Sequence, residues 1–237
     1  MKLKSIMVLF TLAFLFTASF SAVAAQTVFK GTILFENGSG VNLKEWTQNK
    51  AFTDCAKQHG RLFLYDRLIP SKPSKPSDIN NYLMAQLKLR KIKPPYILVA
   101  HSYGVMYSMY FARKNPDLVK GILLVDPVPN NFEWLDNIKK QKKPTPELRY
   151  QLLGFEQTKK QINDLPPLSD KIPVIILSST EVEKNSPIKG DWAKQQKQWL
   201  NKNPDSKVID VEGGHFIQIE HPEVVCEQLK TLVDLSQ

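Results

Sequence analysis

The chain is poor in the residues that most often announce a metal centre or a disulfide scaffold. Its 237 residues include two cysteines and four histidines. Cys55 and Cys226 stand far apart and lack the paired spacing of a zinc site. Two cysteines are also too few for a disulfide-framed small fold. No nucleic-acid-binding motif and no internal repeat is present. Beyond the first 25 residues no stretch is long and apolar enough to span a bilayer. The terminal Ser236-Gln237 offers no receptor-read retention signal. Acidic residues are outnumbered, 23 against 32 Lys and Arg, which leaves a formal charge of +9. The excess is scattered, with denser patches at Lys139-Lys140-Gln141-Lys142-Lys143 and Lys159-Lys160. Such a distribution reads as a solvated surface, with a weak attraction to anionic surfaces as the sharper alternative.

The beginning of the chain has its own pattern. Lys2 and Lys4 precede an apolar run from Ile6 to Phe20, and Ser21-Ala22-Val23-Ala24-Ala25 follows. A basic start, an apolar stretch and an Ala-x-Ala-like boundary predict a secretory signal peptide over 1–25, cleaved after Ala24 or Ala25. No Cys sits at that boundary, which argues against a lipid anchor. The expected location is the periplasm or the exterior. Residues 26–237 suit one domain.

Along that domain, short apolar runs alternate with helical patterns. Strands are predicted at Thr32–Phe35, Arg61–Tyr65, Tyr96–Ala100, Gly121–Val125, Pro173–Leu177 and Lys207–Val211. Helices are predicted from about Leu43 to His59, from a cap at Ser77 or Asp78 to about Lys91, over Tyr103–Lys114 and from about Pro222 to Leu235. Runs apolar on consecutive residues suit strands buried on both faces. Strands separated by helices predict an α/β fold with a mostly parallel sheet of about six strands. An insert at about 127–170 is rich in Lys, Gln and Pro, with helical stretches around Phe132–Gln141 and Glu147–Asn163. It reads as a small helical lid over the strand ends where ligands bind in open sheets.

Four features carry chemistry. Ala100-His101-Ser102-Tyr103-Gly104 lies between a strand and a helix, the setting of a nucleophile elbow written G-x-S-x-G, with Ala100 at the first glycine position. Such a turn projects the Ser102 hydroxyl past the sheet and sets the Tyr103 N–H at a helix start, facing a developing oxyanion. Gly213-Gly214-His215-Phe216 follows the last strand and brings an imidazole to the same edge, as a serine nucleophile requires. Asp126 ends the strand Gly121–Val125 and is the first choice for the carboxylate that orients His215. Glu181, after the strand Pro173–Leu177, is the alternative. Glu36-Asn37-Gly38-Ser39-Gly40 follows the first strand, where Ser39 N–H is the candidate second oxyanion donor. No metal or organic cofactor is called for.

These motifs, with Tyr65-Asp66-Arg67 and Leu124-Val125-Asp126-Pro127, resemble an α/β-hydrolase of the small esterase and lipase-like group. The resemblance implies the α/β-hydrolase fold, a Ser-acid-His order, and hydrolysis of a small-molecule carboxylic ester through an acyl-enzyme. The same residues would serve an amidase or peptidase, and a non-catalytic binding protein on this fold is the alternative from another class. Haloalkane dehalogenases share the fold but use an Asp nucleophile, which Ser102 argues against. The chain departs from the pattern at Ala100, at Leu68–Pro73 in place of a Gly-rich turn, and in lacking counterparts of the first two strands. In the fold so implied, the helices holding Cys55 and Cys226 lie side by side. A bridge between them and two separate buried thiols are both open.

Overall fold

A computed structural model of the chain describes residues 28–68, 73, 75–130, 146–185 and 192–237. The expected leader over 1–25, the predicted lid helix at Phe132–Gln141 and the Lys139–Lys143 patch lie outside these residues. The described residues form an α/β fold, one sheet with helices on both faces. The strands are β1 (Thr32–Glu36), β2 (Arg61–Phe63), β3 (Tyr96–His101), β4 (Val119–Val125), β5 (Val174–Ser179) and β6 (Lys207–Val211). They make one parallel sheet in the order β2-β1-β3-β4-β5-β6.

Strand periodicity explains the two cores. Successive side chains point to opposite faces. Leu34, Leu98, Leu124 and Ile176 face one layer, which holds Tyr103, Met106 and Phe111. Ile33, Phe35, Ile97, Val99, Leu123, Val125, Ile175 and Leu177 face the other, with Trp46, Phe52, Val225 and Leu229. The first layer is α3 (Pro76–Leu89), α4 (Gly104–Lys114) and α5 (Pro146–Asn163). The second contains α1 (Lys44–Thr47), α2 (Lys50–His59) and, at the chain end, α9 (Pro222–Leu235). Between lie two short helices after β5, α6 (Thr180–Asn185) and α7 (Trp192–Gln196), and α8 (Ile217–Glu220) after β6.

The sequence reading places all six strands, and the differences lie at element ends and within one predicted helix. The helix predicted over Leu43–His59 is broken in two. Asn49 is extended, and its side chain accepts from the N–H groups of Ala51 and Phe52. An Asn in that role starts a new helix, so the run cannot stay continuous. Neither Ser77 nor Asp78 caps α3; the helix starts at Pro76, whose fixed φ suits the first helical position. The insert's second helix is more than a cover. Phe155 and Ile162 of α5 are buried in the core beneath it.

Cys55 on α2 and Cys226 on α9 are joined in a disulfide, with Cα atoms 6.3 Å apart, so the reading as two separate thiols is overturned. The two helices pack directly on each other, which brings together residues separated by 171 positions. In the chain-entropy model a loop of that length stabilises by at most about 5 kcal/mol. The Cys55→Ala/Cys226→Ala variant is therefore expected to lose between about 2 and 5 kcal/mol of unfolding free energy in denaturant titration. Alkylation of the non-reduced protein should find no free thiol. Two alkylated cysteines would disprove the bridge.

Candidate active site

The strand ends deliver the candidate residues to one edge. Ser102 follows β3 directly, with φ +50°. An L-residue reaches that left-handed region only when its surroundings hold it there. Here Ser102 N–H donates to Val125 O at 3.0 Å, and Ser102 O accepts from Val128 N–H at 3.3 Å. The turn after it leaves no room for a side chain at Gly104. A Cβ there would lie 2.7 Å from Asn37 O and 2.8 Å from Glu36 O, both backbone atoms that cannot swing away. The Ala100 methyl, by contrast, is accommodated in the core, fully buried.

The side chains then meet in a chain of hydrogen bonds. Ser102 Oγ lies 2.9 Å from His215 Nε2 and donates to it. His215 Nδ1–H donates to Asp126 Oδ2 at 2.5 Å. This order fixes the imidazole tautomer with its proton on Nδ1 and its lone pair toward the hydroxyl. The glycines before His215 permit a close approach: Glu220 folds back to accept from Gly214 N–H at 2.7 Å. A Cβ on Gly214 would strike that carboxylate at 2.8 Å.

Asp126 is wholly buried and also has positive φ, +41°. Its second oxygen, Oδ1, accepts from Ser179 N–H at 3.0 Å, Trp192 Nε1–H at 2.6 Å and Gln196 Nε2 at 3.0 Å. A carboxylate this deep is tolerable only when each lone pair finds a donor. Glu181 stands beside the loop of the base, its N–H donating to Gly213 O at 3.4 Å, but it is exposed. β5 runs to Ser179 and passes straight into α6, so Glu181 falls in a first helical turn with an exposed side chain. Between the two acids the structure pairs His215 with Asp126. Trp192 and Gln196 were missed in the sequence, because no local pattern links them to a strand 66 or 70 residues earlier.

The oxyanion candidates are the N–H groups of Tyr103 and Ser39. Tyr103 caps α4. Its ring is fully buried in the core, and burial raises the phenol well above its ordinary pKa. Ser39 lies beyond β1, and its hydroxyl donates to Gln151 Oε1 on α5. Gln151 Nε2 reaches Tyr107 Oη at 3.3 Å, so the insert helix is tied to the candidate oxyanion loop.

The histidine inside the elbow, His101, is buried and partnered at both ring nitrogens. His101 Nδ1 lies 2.6 Å from Glu45 Oε2, and His101 Nε2 donates to His215 O at 3.0 Å. Metal-ligating groups are scarce. Among the described residues Cys55, His59 and Cys226 bring ligand atoms within 4.8 Å of one another, but both sulfurs are spent in the disulfide. Lys159 and Lys160 sit on α5 beside Glu156 and Asp164, at 3.6 and 2.7 Å, as a solvated helix face does.

A family model described as alpha/beta hydrolase fold matches residues 31–165. The chain is 25% identical over 225 residues to the uncharacterized protein YqjL of Bacillus subtilis (strain 168), covering 87% of this chain and 88% of that one. Among solved structures it is similar to the haloalkane dehalogenase DatA from Agrobacterium tumefaciens C58. That match has a TM-score of 0.62 and 17% identity, over 87% of this chain and 90% of that one. It is equally similar to MGS-MChE2, an alpha/beta hydrolase enzyme from a lagoon-sediment metagenome of Mar Chica, Morocco. There the TM-score is 0.63 and the identity 17%, over 87% and 92% of the two chains.

The donors around Asp126 give the site a measurable dependence. Gln196 serves both Asp126 Oδ1 and Pro127 O, the latter at 2.8 Å. Gln196→Leu leaves two buried acceptors short and is expected to lower unfolding free energy by about 1–3 kcal/mol. An unchanged denaturation midpoint would show that Asp126 does not depend on it.

Proposed function

The chain belongs to the α/β-hydrolase fold family, and on that premise we propose that it is a serine hydrolase cleaving carboxylic esters through an acyl-enzyme. One observation carries the reading: Ser102 Oγ, His215 and Asp126 stand in order, 2.9 and 2.5 Å apart, each in the orientation that proton transfer needs. Ser102 Oγ attacks the ester carbonyl while its proton passes to His215 Nε2. Asp126 holds the ring and stabilises the imidazolium. The carbonyl oxygen becomes an oxyanion held by the N–H groups of Tyr103 and Ser39. His215 then gives its proton to the departing alkoxide. Water, deprotonated by the same imidazole, attacks the acyl-enzyme; the acyl–oxygen bond breaks, His215 returns the proton to Ser102 Oγ, and the acid is released. Every step closes without a metal or organic cofactor.

The residue at the elbow decides against the chemistry of the dehalogenases the fold resembles. That class attacks carbon with a carboxylate, and this chain offers a hydroxyl. The substrate is a small molecule. No helix among the described residues is long and apolar enough to cross a membrane. Export to the periplasm or beyond is supported by the leader pattern and by the Cys55–Cys226 bridge, since disulfides persist in oxidising compartments.

The decisive experiment uses purified protein, a fluorophosphonate probe and a panel of p-nitrophenyl esters. The wild type is expected to label on Ser102 and to turn esters over. Ser102→Ala should remain folded and lose at least about 10⁴-fold in kcat. Absence of labelling would favour a non-catalytic binding protein on this fold. Asp126→Asn should cost about 10³- to 10⁴-fold by misorienting His215, whereas Glu181→Gln should stay near wild type. The reverse ranking would move the acid to Glu181.

A further inference from the structure

We propose that Arg67 and Glu45 are positioning residues that clamp the Asn37-Gly38-Ser39 backbone from opposite sides, so that the Ser39 N–H faces the oxyanion. The proposal rests on the serine-hydrolase reading and names what holds its second donor in place.

The argument starts from the peptide group. In a trans peptide the C=O and N–H point to opposite sides, so fixing one end fixes the other. Arg67 Nη1 donates to Asn37 O at 2.7 Å. The far end of that same peptide, Gly38 N–H, donates to Glu45 Oε1 at 2.7 Å. The first peptide is thus held at both ends by groups of opposite charge. The second is held by its carbonyl: Arg67 Nη2 donates to Gly38 O at 2.6 Å. Its N–H, that of Ser39, therefore points away from Arg67. Only a planar fork satisfies two successive carbonyls at once, and an ammonium presents one point charge.

The clamp sits against the elbow. The backbone oxygens of Glu36 and Asn37 lie where a Gly104 Cβ would be, and a Cβ on Gly38 would lie 2.8 Å from His101 Nδ1. The loop is thus pressed onto the residues flanking Ser102. Without Arg67, Glu45 still holds the first peptide through Gly38 N–H, but the Gly38 carbonyl loses its donor, and a turn of that peptide would bring the carbonyl toward the site, where it would repel an oxyanion.

Both charges are buried and answered. Arg67 pairs with Glu36 Oε2 at 3.2 Å and lies over the Tyr107 ring at 5.0 Å. Tyr65 Oη donates to the other Glu36 oxygen. Glu45 Oε2 meets His101 Nδ1 at 2.6 Å and accepts from Gln218 Nε2 at 3.2 Å. Because His101 Nε2 must donate to His215 O, a further proton is held between Nδ1 and Glu45. One carboxylate thus ties the oxyanion loop to the backbone of the base.

The test compares Arg67→Lys, which keeps a cation beside Glu36, with the double variant Glu36→Gln/Arg67→Gln, which removes both buried charges together and so leaves neither unpaired. Melting curves establish that each is folded. Hydrolysis of p-nitrophenyl esters is read as kcat and KM separately, and an alkyl trifluoromethyl ketone, which forms a tetrahedral oxyanion on Ser102, is titrated as inhibitor. Both variants are expected to lose about 10²-fold in kcat, the size of one oxyanion donor, with KM within about threefold. Ketone affinity should fall by the same factor as kcat/KM. Lowered melting temperature with unchanged kcat and ketone affinity would reduce Arg67 to a structural role and overturn the proposal. A wild type that neither hydrolyses esters nor binds the ketone, or a Ser102→Ala variant that still turns over, would overturn the serine-hydrolase reading and this inference with it.

Discussion

A carboxylate with no exposure to water is the constraint around which the site is arranged. Asp126 ends the strand next to β3, and its two oxygens take four donors from His215, Ser179, Trp192 and Gln196. Those donors come from three separate parts of the chain after β4. Ser179 at the end of β5 and Trp192 and Gln196 of α7 converge on Oδ1. The loop after β6 must close over Oδ2. Ionised Asp126 without these partners would be prohibitively costly at that depth, so the polar network and the fold of the C-terminal half form together. The same demand orients the imidazole. A base held by one buried carboxylate oxygen has little freedom to swing away from the hydroxyl it serves.

Strain and close approach at the strand ends follow from the same geometry. Ser102 and Asp126 occupy equivalent places one strand apart, and both have positive φ. Each must leave its strand abruptly to put a side chain on top of the sheet. Backbone hydrogen bonds hold them: Ser102 N–H to Val125 O and Val128 N–H to Ser102 O join the two turns, and Asp126 N–H to Leu177 O ties the second to β5. The parallel ladder delivers the residues in step, since His101 pairs with Val125 and Val125 with Leu177.

How much of this the sequence disclosed depends on the range of the interaction. The six strands were legible because burial on both faces makes their residues consecutively apolar. Ser102 and His215 were legible because a nucleophile elbow and a Gly-Gly turn are local motifs next to a strand. Asp126 could be placed but not decided, since choosing it over Glu181 required knowing that β5 passes into helix at Thr180 without a loop. Arg67 and Glu45 were beyond reach. Tyr65-Asp66-Arg67 marks the family, yet the carbonyls Arg67 meets lie 29 and 30 residues earlier. Glu45 looks like any polar residue in a helical first turn until α1 is seen pressed under His101. The break at Asn49 was missed for a different reason. Helical periodicity survives across it, and only the cap geometry shows that two helices meet there.

The base itself is supported from the opposite end of the chain. His215 lies on a loop, and loops hold positions less firmly than strands do. Here the segment after it is tied repeatedly to residues 45–101. His101 donates to His215 O. Gln218 Nε2 donates to Glu45. Asn49, the cap of α2, donates from its side chain to Ile219 O at 3.0 Å. Cys55, one and a half turns farther along α2, is covalently joined to Cys226 on α9. These four contacts run down the α1–α2 face of the sheet from the site toward the far end, with Trp46, Phe52 and Ile217 packed among them. The disulfide therefore does more than close a long loop. It joins α2 to α9, the helix that directly follows α8 and the loop carrying His215. The loop of the base is thus backed by the α1–α2 face, whereas Ser102 opens into α4 on the other face.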